Sequence, residues 1–104
     1  MTMRELAHMV AMMPPNFPGA ACIREPQAFD PRGRGEGHGR RVCPRHVYAK
    51  DLCALCPHLS PCREWALHYH ADYPKESGPV IGGLTDQERI DTRRRLRITV
   101  KVAA

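Results

Sequence analysis

The chain has 104 residues and a formal net charge of +5, which allows one small domain and favours a polyanionic partner. It contains one tryptophan, three tyrosines and two phenylalanines, so its apolar core is small and a bound metal that adds folding free energy would compensate. The absence of a run of about 18 apolar residues excludes a membrane-spanning helix, and the absence of an export-signal pattern predicts a cytoplasmic protein, where clustered cysteines bind metals more often than they form disulfides.

The first predicted element is a short amphipathic helix. Apolar residues recur at the spacing of one helix face at Leu6, Met9, Val10 and Met13. Pro14 ends the pattern, and we interpret the stripe as a face that packs on the core, with a partner-binding surface as the less favoured alternative. A loop over residues 16–21 then leads to Cys22, which stands alone among small residues.

Residues 32–41 are predicted to form a flexible linker, because glycine occupies every second position from Gly33 to Gly39. The arginines of this linker can contact phosphate, but a solvated loop is the favoured interpretation. A loop of this length lets Cys22 fold back toward later residues at a modest entropic cost.

Three cysteines form the pattern C-x2-C-x5-C, at Cys53, Cys56 and Cys62. A helix is predicted from Pro44 to about Cys56, after which Pro57 makes the chain turn. Ser60 and Pro61 suit the N-cap and the first position of the next helix. That helix places Trp65 on the same face as Cys62, where its ring would shield a bound centre from solvent.

Thiolate sulfur is a soft ligand suited to zinc, copper(I) or an iron-sulfur cluster, so the cysteine run predicts a metal centre. A fourth ligand has to come from elsewhere in the chain, and the residues available are Cys22, Cys43, His58, His68 and His70. Spacing alone leaves three centres open: zinc on four cysteines, zinc on three cysteines and a histidine, and an iron-sulfur cluster on four cysteines. Base rates slightly favour zinc at this point.

The C-terminal part is predicted to be a basic helix. Pro74 ends the preceding helix, and Thr85 with Glu88 has the pattern of a capping box. The helix is expected to end near Arg97, and residues 98–102 alternate apolar and polar side chains as a strand would. Because like charges at helical spacing destabilise an isolated helix, we predict a DNA-binding surface, with a solvated face as the alternative. Its residues are Arg89, Arg93, Arg94, Arg95, Arg97 and Lys101.

Taken in order, these features resemble the WhiB-like family of actinobacteria and their phages. The matching features are Ala20-Ala21-Cys22 with Phe29-Asp30-Pro31 downstream, a linker, the C-x2-C-x5-C run, the turn Gly82-Gly83-Leu84-Thr85 and a basic C-terminus. The resemblance extends from residue 16 to residue 97 and therefore covers most of the chain.

The resemblance implies a small all-α protein, a bundle of about four short helices organised around a [4Fe-4S] cluster. By position, Cys22, Cys53, Cys56 and Cys62 would bind the cluster, whereas Cys43 matches no family ligand and would be a spare thiol. Within a single domain over residues 1–104, the cluster-binding core would cover residues 16–84, and the basic helix and tail would cover residues 85–104.

The resemblance also implies a function. Family members are transcription regulators that respond to redox changes and nitric oxide, bind DNA through the basic C-terminal segment and commonly bind the primary sigma factor of RNA polymerase. Loss of the cluster would permit disulfides such as Cys53 with Cys56. One position departs from the family, because Ile81 stands where the family has tryptophan. That change removes a large apolar contact of the kind that dominates interfaces, which argues against the family's usual mode of sigma-factor binding.

Two other functions stay open on the residues alone. C-x2-C is also the spacing of redox dithiols, so one alternative is a protein disulfide reductase that acts through Cys53 and Cys56 in the metal-free form, although no βαβ pattern surrounds the pair. A zinc-stabilised DNA- or protein-binding module is the other. The sequence has no phosphate-cradling glycine loop and no hydrolase motif, and we expect a protein that is not an enzyme.

Overall fold

The computed structural model describes residues 1–12 and 17–101, and this part of the chain is helical without a β-strand. The α-helices are α1 (Met3–Met12), α2 (Ala21–Arg24), α3 (Pro26–Phe29), α4 (Pro44–Ala54), α5 (Leu59–Tyr69) and α6 (Asp86–Leu96). A single 3-10 turn covers Pro74–Glu76. The predicted all-α class is therefore confirmed. Within the same described ranges, every helix is too short or too polar to span a lipid bilayer.

Helix α1 corresponds to the predicted amphipathic helix. Our prediction that its apolar stripe packs on the core is wrong for the described residues, because Leu6, Met9 and Val10 are all exposed. Met13, the last residue of the predicted stripe, and Pro14, which we expected to end the helix, lie outside the described residues.

The core is small and lies where α2, α3 and α4 meet. Ala21, Ala28, Phe29 and Ala49 are buried there together with Val80, whose backbone N–H donates to the carbonyl of Phe29 over 3.0 Å. Alanine at three of these positions lets the short helices approach closely, as small side chains do at helix contacts. Leu52 and Cys53 of α4 pack against the edge of this cluster, so the core adjoins the cysteine run.

The glycine-rich segment, which we predicted as a flexible linker, makes specific contacts with α4 through Glu36. Glu36 receives hydrogen bonds from the guanidinium of Arg45 at 2.8 and 3.0 Å and from the backbone N–H of Gly33 at 2.7 Å. These contacts, the Arg45 bonds first, hold the pKa of Glu36 well below its usual range. Arg45 also donates to the carbonyls of Asp30 and Pro31, so one side chain joins the segment to the end of α3.

The predicted capping box of α6 is confirmed. The hydroxyl of Thr85 accepts from the backbone N–H of Glu88 at 3.3 Å, and the Glu88 carboxylate accepts from the Thr85 N–H at 2.9 Å. The helix ends as predicted at Arg97, which adopts the left-handed conformation with φ +56°. Helix α5 instead begins earlier than predicted, at Leu59 after His58, and Ser60 and Pro61 lie inside its first turn.

An ion pair within α6, bonded to nearby backbone groups, and a second pair with Asp72 fix this helix to the rest of the protein. Asp86 and Arg89 are fully buried and bonded to each other, and the Asp86 carboxylate also accepts from the backbone N–H groups of Tyr73 and Gly78. One turn further on, the buried side chain of Arg93 pairs with Asp72. Residues 98–101 then follow without forming the strand that their alternation predicted.

Removing the Asp86 carboxylate should destabilise the protein strongly. We expect Asp86→Ala to lower the free energy of unfolding by about 3–5 kcal/mol, because Arg89 is left buried without a counter-charge. Urea denaturation followed by circular dichroism measures the change. Asp51→Ala, at an exposed aspartate of α4, is the matched control and should change the same quantity by less than about 0.5 kcal/mol. A similar loss in both variants would contradict a structural role for the pair.

Candidate metal centre

Four of the five cysteines line one cavity of about 270 Å³. Cys22 comes from α2, Cys53 from the last turn of α4, Cys56 from the turn that follows, and Cys62 from α5. The chain thus brings the isolated Cys22 to the cysteine run, a pairing that only the resemblance had predicted. The described part of the predicted loop covers residues 17–20, and Cys22 follows it in the short helix α2, which begins at Ala21.

The remaining wall of the cavity is mostly apolar. It is formed largely by Phe17, Phe29, Leu52, Leu59, Val80 and Ile81. Trp65, which we predicted beside Cys62, does not line the cavity and instead meets His70 edge-on at 6.1 Å between ring centroids. The shielding that we assigned to tryptophan therefore falls to the phenylalanine and aliphatic side chains.

The three histidines considered as zinc ligands make other contacts. The His58 ring stacks on Phe17 at 4.9 Å, and its Nε2 lies 3.1 Å from the carbonyl of Pro18. His68 pairs with Glu64, and His70 stacks on Tyr73. His58 still serves the cysteine site through its backbone, because its N–H donates to the sulfur of Cys56 at 3.4 Å.

A glycine turn over residues 81–84 closes the cavity. Ile81 and Leu84 exchange two backbone hydrogen bonds at 3.1 and 3.2 Å, which places Gly82 and Gly83 at the tip. The backbone of Gly83 lies near the thiol of Cys53 and the backbone of Gly82 lies near the thiol of Cys62, and each favours the thiolate form. Sequence reasoning found this turn only as a chain reversal and missed its proximity to the two cysteines.

Glycine is needed at the tip for two reasons. Both residues have positive φ, +62° at Gly82 and +74° at Gly83, a conformation that side chains disfavour. A Cβ on Gly82 would also stand 2.5 Å from the Cα of Arg63, whose Nε donates to the Gly82 carbonyl at 2.7 Å. The turn therefore lies directly on the backbone of α5, one residue from Cys62.

Burial keeps the inner thiols neutral in the absence of a positive ion. It raises the pKa of Cys53 to about 11, while the Gly83 N–H opposes the change and the other cysteines add to it. Burial likewise raises the pKa of Cys62. A metal ion reverses this preference, because a coordinating thiol is deprotonated outright.

The four sulfurs do not surround one common point. Within the described residues, no three His, Cys, Asp or Glu side chains are arranged to hold a single metal ion. A four-iron cluster does not require such a point, since each cysteine ligand binds a separate iron of the cluster. Cys43, which we did not assign as a ligand, is buried just before α4, and its sulfur lies 3.4 Å from a carboxylate oxygen of Glu36. It lines a cavity separate from that of the other four cysteines.

The predicted DNA-binding surface is smaller than the sequence suggested. Arg89 and Arg93 are buried in ion pairs, so they are not available to phosphate and our placement of them on an exposed face is wrong. The exposed members of the set are Arg94, Arg95, Arg97 and Lys101, which we call the basic end. Lys101 bonds through its backbone N–H to the His68 carbonyl at 2.7 Å, so the basic end is held against α5.

Comparison with protein-family models matches residues 18–91 to the family described as transcription factor WhiB. The match covers well over half of the chain and includes all four cysteines of the cavity. Comparisons with curated proteins and with solved structures gave no match.

The tip of the glycine turn offers a matched pair of substitutions. Gly82→Ala should lower the free energy of unfolding by more than the roughly 1–2 kcal/mol that a positive φ costs alanine, because its Cβ also meets the backbone of Arg63. Gly35→Ala has a similar φ of +84° with no atom within 4 Å, so it reports the backbone cost alone. Urea denaturation of both variants gives the difference. Equal losses would show that the turn does not press against α5.

Proposed function

This chain belongs to the WhiB family of transcription factors, and we propose that it regulates transcription through a [4Fe-4S] cluster bound by Cys22, Cys53, Cys56 and Cys62. The observation that carries the proposal is the convergence of these four thiols, one from α2 and three from the cysteine run, on one apolar cavity. Four thiolates are the usual ligand set of such a cluster. The proposal treats residues 1–104 as a single cytoplasmic domain, with residues 16–84 as the cluster-binding core and residues 85–104 as the basic helix and tail.

The chain's own groups suit such a centre. The backbone N–H of His58 donates to the sulfur of Cys56, and the backbones of Gly82 and Gly83 lie near Cys62 and Cys53. Hydrogen bonds to sulfur help to set the reduction potential of iron-sulfur centres. The apolar wall limits solvent access, which acts on the same property. When bound, the cluster would supply a redox-active group that reacts with oxidants and nitric oxide.

The structure supports a route from the cysteines to the basic end. The glycine turn lies against Cys53 and Cys62 on one side, and Arg89 of α6 donates to the carbonyl of Leu84 at its end and to that of Pro79 just before it. A change in the cysteines, such as release of thiolates or a disulfide between Cys53 and Cys56, would alter this turn. Because the turn is bonded to α6, the presentation of the basic end would change with it.

The proposed output is DNA binding by the basic end, whose four cations are exposed. Contacts of this kind go to phosphate and carry no sequence information, so promoter choice depends on other contacts or partners. The sigma factor of RNA polymerase is the partner that the family implies. Ile81 stands at the position of the family's tryptophan, lines the cavity and is only partly exposed, so the large aromatic contact of the family turn is absent here.

A disulfide reductase is not favoured by the site. Such an enzyme attacks through a thiolate with a lowered pKa, whereas burial raises the pKa of Cys53 to about 11. The metal analysis below distinguishes the cluster from a zinc-stabilised module.

Metal and sulfide analysis tests the centre directly. Protein purified without oxygen should be brown and contain about four irons and an equal amount of acid-labile sulfide. Cys22→Ser, Cys53→Ser, Cys56→Ser and Cys62→Ser should each lose most of this content. Cys43→Ser is the matched control and should retain it, because its sulfur lies outside the cysteine cavity. A colourless protein with one zinc would overturn the cluster.

Salt dependence tests the basic end. Replacing Arg94, Arg95 and Arg97 together with alanine should weaken binding to duplex DNA and lower the slope of log K against log salt by about 0.9 for each lost phosphate contact. Fluorescence anisotropy at several salt concentrations measures the slope. Arg34→Ala, at an exposed arginine of the glycine-rich segment, should leave it unchanged. An unchanged slope in the triple variant would exclude the basic end as the DNA contact.

A further inference from the structure

A second cavity, of about 250 Å³, lies between the end of the glycine-rich segment, the first turns of α4 and the N-terminal half of α6. None of the residues that line it also lines the cysteine cavity. Its lining carries an excess of positive charge, with Arg32, Arg40, Arg41 and Lys50 set against Glu88 and Asp91. The cavity is therefore a separate, cationic site that the cluster proposal does not use.

The two carboxylates of this cavity are already neutralised. Asp91 pairs with Arg40 at 2.7 Å, and Glu88 pairs with Lys50 at 2.7 Å. The remaining cations are Arg32 and Arg41. An entering anion therefore meets positive charge that is not already balanced by a lining carboxylate.

Arg32 presents an unused donor. Its Nη2 donates to the carbonyl of Gly39 at 3.2 Å, but its Nη1 is buried and has no hydrogen-bond partner. A buried charged donor without an acceptor is costly, so nearly all such groups in folded proteins have a partner. An acceptor atom in the cavity would supply one.

His46 has a buried hydrogen-bond acceptor without a partner. This side chain is 1% exposed, and its Nε2 lies 2.7 Å from the carbonyl oxygen of Asp30. A carbonyl can only accept, so Nε2 carries the hydrogen. Burial, the largest effect, lowers the pKa of His46, and its Nδ1 is consequently a bare acceptor, buried without a partner. The ligand must therefore bring a donor as well as an acceptor.

We propose that this cavity binds hydrogen phosphate, either free or as a phosphate monoester. Phosphate oxygens would accept from Arg32 and Arg41, and the P–OH group would donate to Nδ1 of His46. At about 250 Å³, the cavity is far larger than the volume that one water molecule occupies in the liquid, which is about 30 Å³. Sulfate and the phosphodiesters of a DNA backbone carry no proton near neutral pH, so they can satisfy the arginine but not the histidine.

Nitrogen NMR of the full-length, ¹⁵N-labelled protein tests the site. Inorganic phosphate is titrated near pH 6, with ionic strength held constant by chloride. At this pH inorganic phosphate carries a P–OH group, and a phosphate monoester carries one on about half of its molecules. The resonances of His46 Nδ1 and of the Arg32 guanidinium should shift and saturate. Sulfate should bind about tenfold more weakly, because one buried acceptor stays without a partner. Glycerol phosphate is titrated in parallel, and either order of its affinity relative to inorganic phosphate supports the site and identifies the source.

Substitutions localise the response. Arg32→Gln and Arg41→Gln should each weaken phosphate binding by about tenfold. Arg34→Gln is the matched control, since it removes an exposed arginine of the same segment that does not line the cavity. The backbone spectrum of each variant shows whether the fold is kept. Absence of saturation in the unaltered protein, equal affinity for sulfate, or equal weakening by Arg34→Gln would each overturn the proposal.

Discussion

The buried pair of Asp86 and Arg89 is the interaction on which the candidate centre depends. Both side chains are fully buried, and between them they bond to backbone groups of Tyr73, Gly78, Pro79 and Leu84. Gly78 has no side chain, which lets the carboxylate approach, since a Cβ there would stand 2.3 Å from it. Buried ion pairs are stabilising only when their other hydrogen bonds are satisfied, and the backbone of this stretch satisfies most of them. The pair thereby fixes the glycine turn over the cysteines.

Burial controls the protonation of the inner cysteines of the cavity. Burial favours neutral thiols at Cys53 and Cys62, so the metal-free site holds protons that an iron or zinc ion would displace. The N–H groups of Gly82 and Gly83 act in the opposite direction, because a hydrogen bond to sulfur favours the thiolate. The same two amides thus lower the cost of deprotonation and would favour the thiolates that a metal centre requires. Their positions are set by α6 and not by the cysteines.

The sequence predicted the local features well and the distant contacts poorly. The capping box of Thr85 and the end of α6 depend on neighbouring residues, and both were predicted correctly. The burial of Arg93 depends on Asp72, twenty-one positions away, which no helical spacing reveals. Arg89 was more accessible to prediction, because Asp86 lies three residues before it on the same helix face. The contacts of the glycine-rich segment with α4 depend on the pair Glu36 and Arg45, which composition alone does not reveal.

Helix α6 is largely polar, lines the second cavity and is bonded through Arg89 to the turn beside the cysteine cavity. Asp86, Arg89 and Arg93 form its buried face, whereas Glu88 and Asp91 line the second cavity and pair with residues of α4 and the glycine-rich segment. A helix without an apolar stripe is held by specific charge pairs, and these fix its position only while their partners stay in place. Its partners lie beside the cysteine cavity on one side and around the cationic cavity on the other. Under the two proposals, an anion in the second cavity would act on the same helix as a change in the cysteines.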